Sequence, residues 1–410
     1  MRVKGRKSLS RSFSFVHVAD THLGFRQYGL NERWEDFSRV FVEIVDKTIE
    51  LKPEFMIISG DVFQDPRPTN RTLEVAIMNL VRLREEGIKV LGIGGSHDSS
   101  PNVTTGTILR PLDGAKLLYY LPDHKGGSYT GDCYYVYGIP SFRTSREGEV
   151  RLREFFEEKP PSLSPSLFNI CVFHMALNHP KVPKIPDEYT LSMSFLPKGF
   201  DYYAGGHVHR PLISRLDGKL GGGILAYSGC TETTSTKEAE YSKGFFFVKV
   251  DKRGGLNLKR IELKGPRRFE VIEIDATGRK GSEITKLGCD AVKRLDGKGK
   301  VIVVILRGEL PPDVRKMEID SAKIRRSGRR ALHIKVSNQM KERGMTEEQK
   351  RRIIEGRPED LKRRAYEYLV SVLQSSEGER AENVARIAVD LIEPLKHGEK
   401  RRVLELLEKL

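Results

Sequence analysis

The chain has 410 residues, 38% hydrophobic and 31% charged, which is more than one core usually organises and too apolar for wholesale disorder. No apolar run approaches the roughly 18 residues that span a bilayer, and Met1 to Ser14 is basic and serine-rich without a signal segment, so a cytoplasmic protein with no membrane partner is expected. Cys133, Cys171, Cys230 and Cys289 form no CxxC pair, and the net charge of +15 is concentrated in residues 251 to 340, with 23 Lys and Arg against 12 Asp and Glu. Such a block favours a polyanionic partner, nucleic acid first.

In chain order, residues 1 to 14 read as a basic N-terminal extension and residues 15 to 264 as the largest domain. Short β-branched runs alternate there with helical stretches such as Asn31 to Leu51 and Asn70 to Glu86, the pattern of an α/β unit. Two strands, Lys243 to Val250 and Leu256 to Glu262, flank a turn at Asp251 to Gly255, and Gly265-Pro266 then marks a boundary. Residues 265 to 340 read as a small α+β module, with strands near 270–274, 301–306 and 331–336 around a helix over 284–294. It carries the densest basic patch, Lys323, Arg325, Arg326, Arg329 and Arg330.

Residues 341 to 410 read as a helical tail. Thr346 and Gln349 have capping-box spacing, Arg357-Pro358 separates two helices, and Leu361, Ala365, Tyr368 and Val372 recur at helical intervals. Val384, Ile387, Ala388, Leu391 and Ile392, then Val403, Leu406, Leu407 and Leu410, form further apolar faces that pack on the body or dock into a partner's groove.

Five apolar runs of the first domain end in Asp or His. Phe15 to Ala19 leads into Asp20-Thr21-His22, and Phe55 to Ser59 into Gly60-Asp61. Val90 to Ile93 runs into Gly94-Gly95-Ser96-His97-Asp98, Ile170 to Phe173 ends in His174, and Tyr202 to Gly206 opens onto His207-Val208-His209. Ligands in α/β sheets bind beyond the carboxyl ends of strands, so five such endings point to one site. Asp-x-His and His-x-His place two side chains on the same side of an extended segment. Carboxylate and imidazole donors without thiolate suit Mn, Fe, Co or Zn. Six of them, with Ser96 as a candidate seventh, exceed what one ion needs and fit a pair of divalent ions of the kind that cleaves phosphate esters.

These residues in this order resemble the calcineurin-like metallophosphoesterases, whose pattern is D-x-H, GD, GNH[DE], H and GHxH. Within that superfamily, His17 to Gly24 and Leu196 to Tyr203 before Gly206-His207-Val208-His209 are most similar to the SbcD-type double-strand-break repair nucleases, the family called meiotic recombination eleven in archaea and eukaryotes. The resemblance implies a β-sandwich flanked by helices, a small α+β cap and a helical C-terminal tail. It implies two ions, manganese by family: one held by Asp20, His22, Asp61 and His209, the other by Asp61, the residue at position 96, His174 and His207. His97 would act at the scissile phosphate without binding metal, and Asp98 would orient it.

The same resemblance implies DNA ends as substrate, a homodimer, and an SMC-like ATPase of the SbcC type gripped by the tail. Arg26, Arg67, Arg325, Arg326, Arg329 and Arg330 are the expected phosphate contacts. Two departures stand out: Ser96 where the family has Asn, and Ser228-Gly229-Cys230 where it has Pro-Gly-Ser. Two other readings stay open, a phosphatase or small-molecule phosphodiesterase on the same fold, and a DNA-end-binding, ATPase-anchoring subunit weakened in catalysis by Ser96. His17, His124, His179, His333 and His397 are read as structural or solvated, and Trp34 as helix packing.

Overall fold

The computed structural model describes residues 1–3, 7–99, 106–142, 145–183, 190–216, 218, 220–312, 314–342, 362–363, 365–370, 373 and 380–408. It divides into two compact units. Unit one comprises Met1–Glu273, Cys289–Ile305 and Ile324–Ser337, and unit two Ile274–Gly288, Leu306–Lys323 and Asn338–Leu410.

Two mixed sheets form the body of unit one. The first contains β1 (Arg2–Val3), β2 (Phe13–Val18), β3 (Phe55–Ser59), β4 (Lys89–Ile93) and β5 (Tyr119–Tyr120). The second contains β6 (Ser128–Thr130), β7 (Tyr134–Gly138), β8 (Phe168–His174), β11 (Tyr202–Gly206), β12 (Leu212–Arg215) and β13 (Ile224–Tyr227), with β9 (Ala176–Leu177) and β10 (Thr190–Leu191) as a separate parallel pair. β14 (Gly244–Val250) and β15 (Leu256–Glu262) complete the first sheet in the order β1-β15-β14-β2-β3-β4-β5, and the second runs β12-β13-β11-β8-β7-β6.

The strands alternate, but both of their faces are buried, which is why they read as continuous apolar runs. Phe15, Phe55, Ile57 and Leu91 face Val136, Ile170, Val172 and Tyr202 between the sheets. On the outer face of the first sheet, Val16, Met56, Ile58 and Val90 meet Phe41, Ile44 and Val45 of α1 (Asn31–Leu51) and Leu80 and Leu83 of α2 (Asn70–Glu85). α1 stops where Lys52 turns left-handed ahead of Pro53, and α2 starts at Thr69, whose hydroxyl accepts from the Thr72 amide at 3.3 Å. On the far face of the second sheet, Tyr137, Phe173, Tyr203 and Tyr227 pack with Leu152 of α4 (Ser145–Glu158), which follows the short α3 (Leu109–Gly114). The α/β sandwich flanked by helices is therefore the fold that forms.

Residues before Phe13 join this body: β1 pairs antiparallel with β15, and Lys7 Nζ lies 2.7 Å from an Asp201 carboxylate oxygen. The β14–β15 hairpin forms as expected, its turn held by Asp251 Oδ1 accepting from the Arg253 and Gly255 amides at 2.8 Å each. Beyond it, β16 (Phe269–Asp275), β17 (Val301–Arg307) and β18 (His333–Asn338) make a three-stranded sheet, accompanied in sequence by α5 (Gly281–Leu295) and α6 (Ser321–Arg326).

The Thr346/Gln349 cap, the Arg357-Pro358 break, Leu361 and Val372 lie outside the described residues. Farther on, α7 (Ala381–Asp390), α8 (Ile392–Lys396) and α9 (Lys400–Leu407) are helical as expected. Ile387 is buried, whereas Ile392, Leu404 and Leu407 are exposed. Among the described residues no helix is long and apolar enough to cross a membrane.

Candidate metal centre

β2, β3 and β4 run parallel in one sheet, and β8 and β11 run parallel in the other, so the segments leaving their carboxyl ends meet at one edge of the sandwich. Asp20 and His22 follow β2, Asp61 follows β3, residues 96 to 98 follow β4, His174 ends β8, and His207 and His209 follow β11. The sheets are tied together there. The His207 amide donates to both Asp20 carboxylate oxygens (3.0 and 3.2 Å), and His174 Nδ1 donates to the Ser59 carbonyl at 2.7 Å. Two glycines make this approach possible: a Cβ on Gly206 would overlap the Ser59 carbonyl and the His174 ring, and one on Gly95 would overlap Asp61.

Four of the clustered residues have left-handed backbone, Asp20 (φ 55°), His22 (43°), Asp61 (51°) and His207 (77°). Non-glycine residues take that conformation at a cost, and they do so here at the point where each strand turns its side chain into the site.

Asp20, His22 and His209 each bring a ligand atom within 4.8 Å of one another, and so do Asp61, His174 and His207. Within the first group His22 Nε2 lies 3.2 Å from His209 Nε2, and His209 Nε2 lies 3.6 Å from Asp20 Oδ1. Asp61 Oδ2 lies 3.1 Å from His174 Nε2 and 3.9 Å from His22 Nε2, so this one carboxylate reaches both groups. A cavity of about 490 Å³ opens on the cluster, lined among others by His22, Asp61, Ser96, His97, His207 and His209.

The donor set fits divalent cations. With Nδ1 of His174 committed to the Ser59 carbonyl, the fully buried Nε2 is the ring atom turned to Asp61, 3.1 Å away. His209 repeats the arrangement, Nδ1 donating to Glu238 Oε1 at 2.8 Å and Nε2 facing Asp20. Ring nitrogens that face carboxylates share a cation with them, a proton until a divalent ion displaces it.

The electrostatics follow the same logic. Burial lowers His22 and His207 to about 3. Burial also opposes protonation of His174, yet the Asp61 and Asp20 carboxylates raise it to about 9. Burial pushes Asp61 up, and the surrounding imidazoles, His174 foremost, pull it well below the usual carboxylate range.

Ser96 reaches the cavity wall, and its side chain is a short neutral hydroxyl. The His97 amide donates to Asp61 Oδ1 at 2.9 Å, and its Nδ1 pairs with the Gln64 carbonyl at 2.8 Å. Asp98, expected to orient that ring, does something else. Its carboxylate accepts from the amides of Val62 (3.1 Å), Phe63 (2.8 Å) and Gly95 (2.8 Å), stapling the loop after β3 to the loop after β4. Burial and then the Asp61 charge raise it to about 6. The residue that fixes His97 is Gln64, which was missed because a carbonyl leaves no residue-type signal.

Arg26 and Arg67 sit exposed on the loops after Asp20-x-His22 and after Gly60-Asp61, Arg26 donating to the Gly29 carbonyl at 3.3 Å. Arg325, Arg326, Arg329 and Arg330 are exposed on and after α6. Trp34 packs as expected, its Nε1 donating to Thr72 Oγ1 at 2.9 Å. His333 stacks on Tyr28, ring centroids 4.2 Å apart. Sequence reading also missed Glu238. The spacing of Ser235 and Glu238 carries a capping-box signal that the carboxylate folds back onto its own turn.

Comparison with known proteins agrees with this geometry. Residues 13–211 match the calcineurin-like phosphoesterase family. The DNA double-strand break repair protein Mre11 of Methanocaldococcus jannaschii is 32% identical over 278 residues, covering 65% of this chain and 70% of that protein. This chain belongs to the Mre11 family. Its counterpart from Sulfurisphaera tokodaii is 30% identical, covering 74% of this chain and 76% of that one, and the one from Methanococcus maripaludis is 31% identical, covering 60% and 65%. Membership brings with it a phosphoesterase fold and a site for divalent metal ions.

Proposed function

We propose that this Mre11-family chain is a DNA nuclease subunit that cleaves phosphodiesters at broken ends, acting as exonuclease and endonuclease with two manganese ions. The reading rests above all on one observation, the two groups of ligand atoms joined by Asp61 at a single cavity. Asp20, His22, Asp61 and His209 would hold one ion, and Asp61, Ser96, His174 and His207 the other. When bound, the ions supply Lewis acidity for the attacking water and for charge on the phosphoryl oxygens. The Gln64 carbonyl holds His97 at Nδ1, so Nε2 is the atom that carries a proton to or from the phosphodiester oxygens. Residues 15–264 would form the nuclease body, 265–340 the basic cap over DNA, and 341–410 the seat for an SMC-like ATPase of the SbcC type. The working form would be a homodimer in the cytoplasm.

The test is a manganese-dependent time course on linear duplex DNA with the native chain, Ser96→Asn and His97→Ala. Cleavage by the native chain, lost by at least about 100-fold in His97→Ala, is the expected result, in line with the usual weight of acid–base groups. Cleavage only in Ser96→Asn would instead mark the native chain as an end-binding, ATPase-anchoring subunit weakened by its serine hydroxyl. Hydrolysis of a chromogenic phosphomonoester without any DNA cleavage would replace the nuclease reading with a phosphatase.

A further inference from the structure

Behind one of the metal ligands lies a carboxylate that no motif includes. Glu238 is 6% exposed and belongs to the loop that follows β13. Its Oε1 accepts from His209 Nδ1, from Thr234 Oγ1 and from Ser235 Oγ, all at 2.8 Å. Its Oε2 accepts from the Thr234 amide at 2.7 Å and faces the Cys230 thiol at 3.5 Å. Lys243 Nζ closes the surroundings, donating to the Glu238 carbonyl at 2.6 Å. Every oxygen of this carboxylate is thus fixed by its own turn before it meets the imidazole.

An imidazole that gives its Nδ1 proton to a fixed acceptor keeps its lone pair on Nε2, and the ring cannot rotate away. His209 Nε2 is thereby aimed at the place where Asp20 Oδ1 (3.6 Å) and His22 Nε2 (3.2 Å) converge. The corresponding acceptors behind His174 and His97 are neutral main-chain carbonyls, of Ser59 and Gln64. A carboxylate is a stronger acceptor and sets a negative charge behind the ring, which makes Nε2 the better donor to a cation.

We infer that Glu238 is a positioning residue for His209 that makes the ion position at Asp20, His22 and His209 the tighter of the two. This rests on the two-ion reading above, and it adds an order of filling to it.

The experiment is a Mn2+ titration of the metal-stripped full chain, read from the electron paramagnetic resonance signal of free Mn2+, together with the melting temperature of each metal-free variant. The native chain should bind two ions in unequal classes. Glu238→Ala should weaken the tight class about 10- to 100-fold and leave the other unchanged, and Glu238→Gln, whose amide oxygen still accepts from Nδ1, should fall between. Ser235→Ala, which removes a hydrogen bond to the same carboxylate without touching His209, should keep the tight class. If Glu238→Ala does not fold, the Gln variant decides alone. Unchanged affinities in a folded Glu238 variant would overturn the proposal, and so would equal weakening of both classes alongside the same loss in Ser235→Ala. A native chain that binds fewer than two ions would instead overturn the two-ion reading, and this inference with it.

Discussion

At the scale of single residues, the site trades local conformational comfort for convergence. Left-handed φ values at Asp20, His22, Asp61 and His207 let each side chain leave its strand toward a common point, and the clustered charges then compete with protons. This competition has a defined sign. His174 is raised to about 9, and His209, hydrogen-bonded to Glu238 and facing Asp20, is raised well above the ordinary imidazole value, so at neutral pH each carries a proton that an incoming ion must displace. Below pH 9 the affinity for Mn2+ at each of the two positions should therefore fall by about tenfold for each unit of pH, for the release of one proton per ion. Calorimetric titrations in two buffers of different ionisation enthalpy count that release directly, and a count of zero at pH 7 would show that both imidazoles are already neutral. The Asp and His side chains that cluster here were legible in the sequence because strand ends announce them by type and spacing. Their supports were not, since Asp98 and Gln64 act on or through main-chain atoms.

At the scale of elements, α1 holds a charged network that no hydropathy pattern could reveal. Arg33, fully buried, donates to Gln27 Oε1 at 3.0 Å, to Asp36 at 2.5 Å, to Glu232 at 3.2 Å and to the Thr233 carbonyl at 2.9 Å. Asp36 in turn pairs with Arg267 and with Arg39. On a helical wheel Arg33 and Asp36 read as solvated charges, yet here they knit α1 to the loop after β13 and to the segment entering β16. Removing one partner of such a buried network strands the others, so Asp36→Ala should cost about 3–5 kcal/mol in a urea melt of the metal-free chain. A loss under about 1 kcal/mol would mean that water reaches Arg33 and repairs the deficit. The extents of α1, α2 and the β14–β15 hairpin were readable because periodicity and turn residues determine them locally. The pairing of β1 with β15 was not, because two residues have no period and their partner lies about 250 positions away.

At the scale of the whole molecule, formal charge overstates what is available to a polyanion. Of the basic residues between 251 and 340, Arg267 is committed to Asp36, and Arg260 donates to the carbonyls of Ser228 (2.6 Å) and Ser242 (2.8 Å). Arg325, Arg326, Arg329 and Arg330 differ, because their side chains are exposed while their backbone is held. The Asp296 carboxylate accepts from the amides of Arg329 (2.9 Å), Arg330 (3.0 Å) and Ala331 (2.8 Å), fixing the turn after α6 through main-chain atoms. Four exposed guanidiniums on a held backbone can meet successive phosphates, and each contact releases about 0.9 of a counterion from duplex DNA. Replacing all four by Ala should therefore reduce the slope of log K against log salt by about 3 to 4, while the melting temperature stays close to native because none of the four side chains is buried. Binding isotherms on one duplex between 50 and 200 mM salt measure the slope. An unchanged slope would take this ridge out of the DNA interface and leave the loop arginines, Arg26 and Arg67, to be tested in its place.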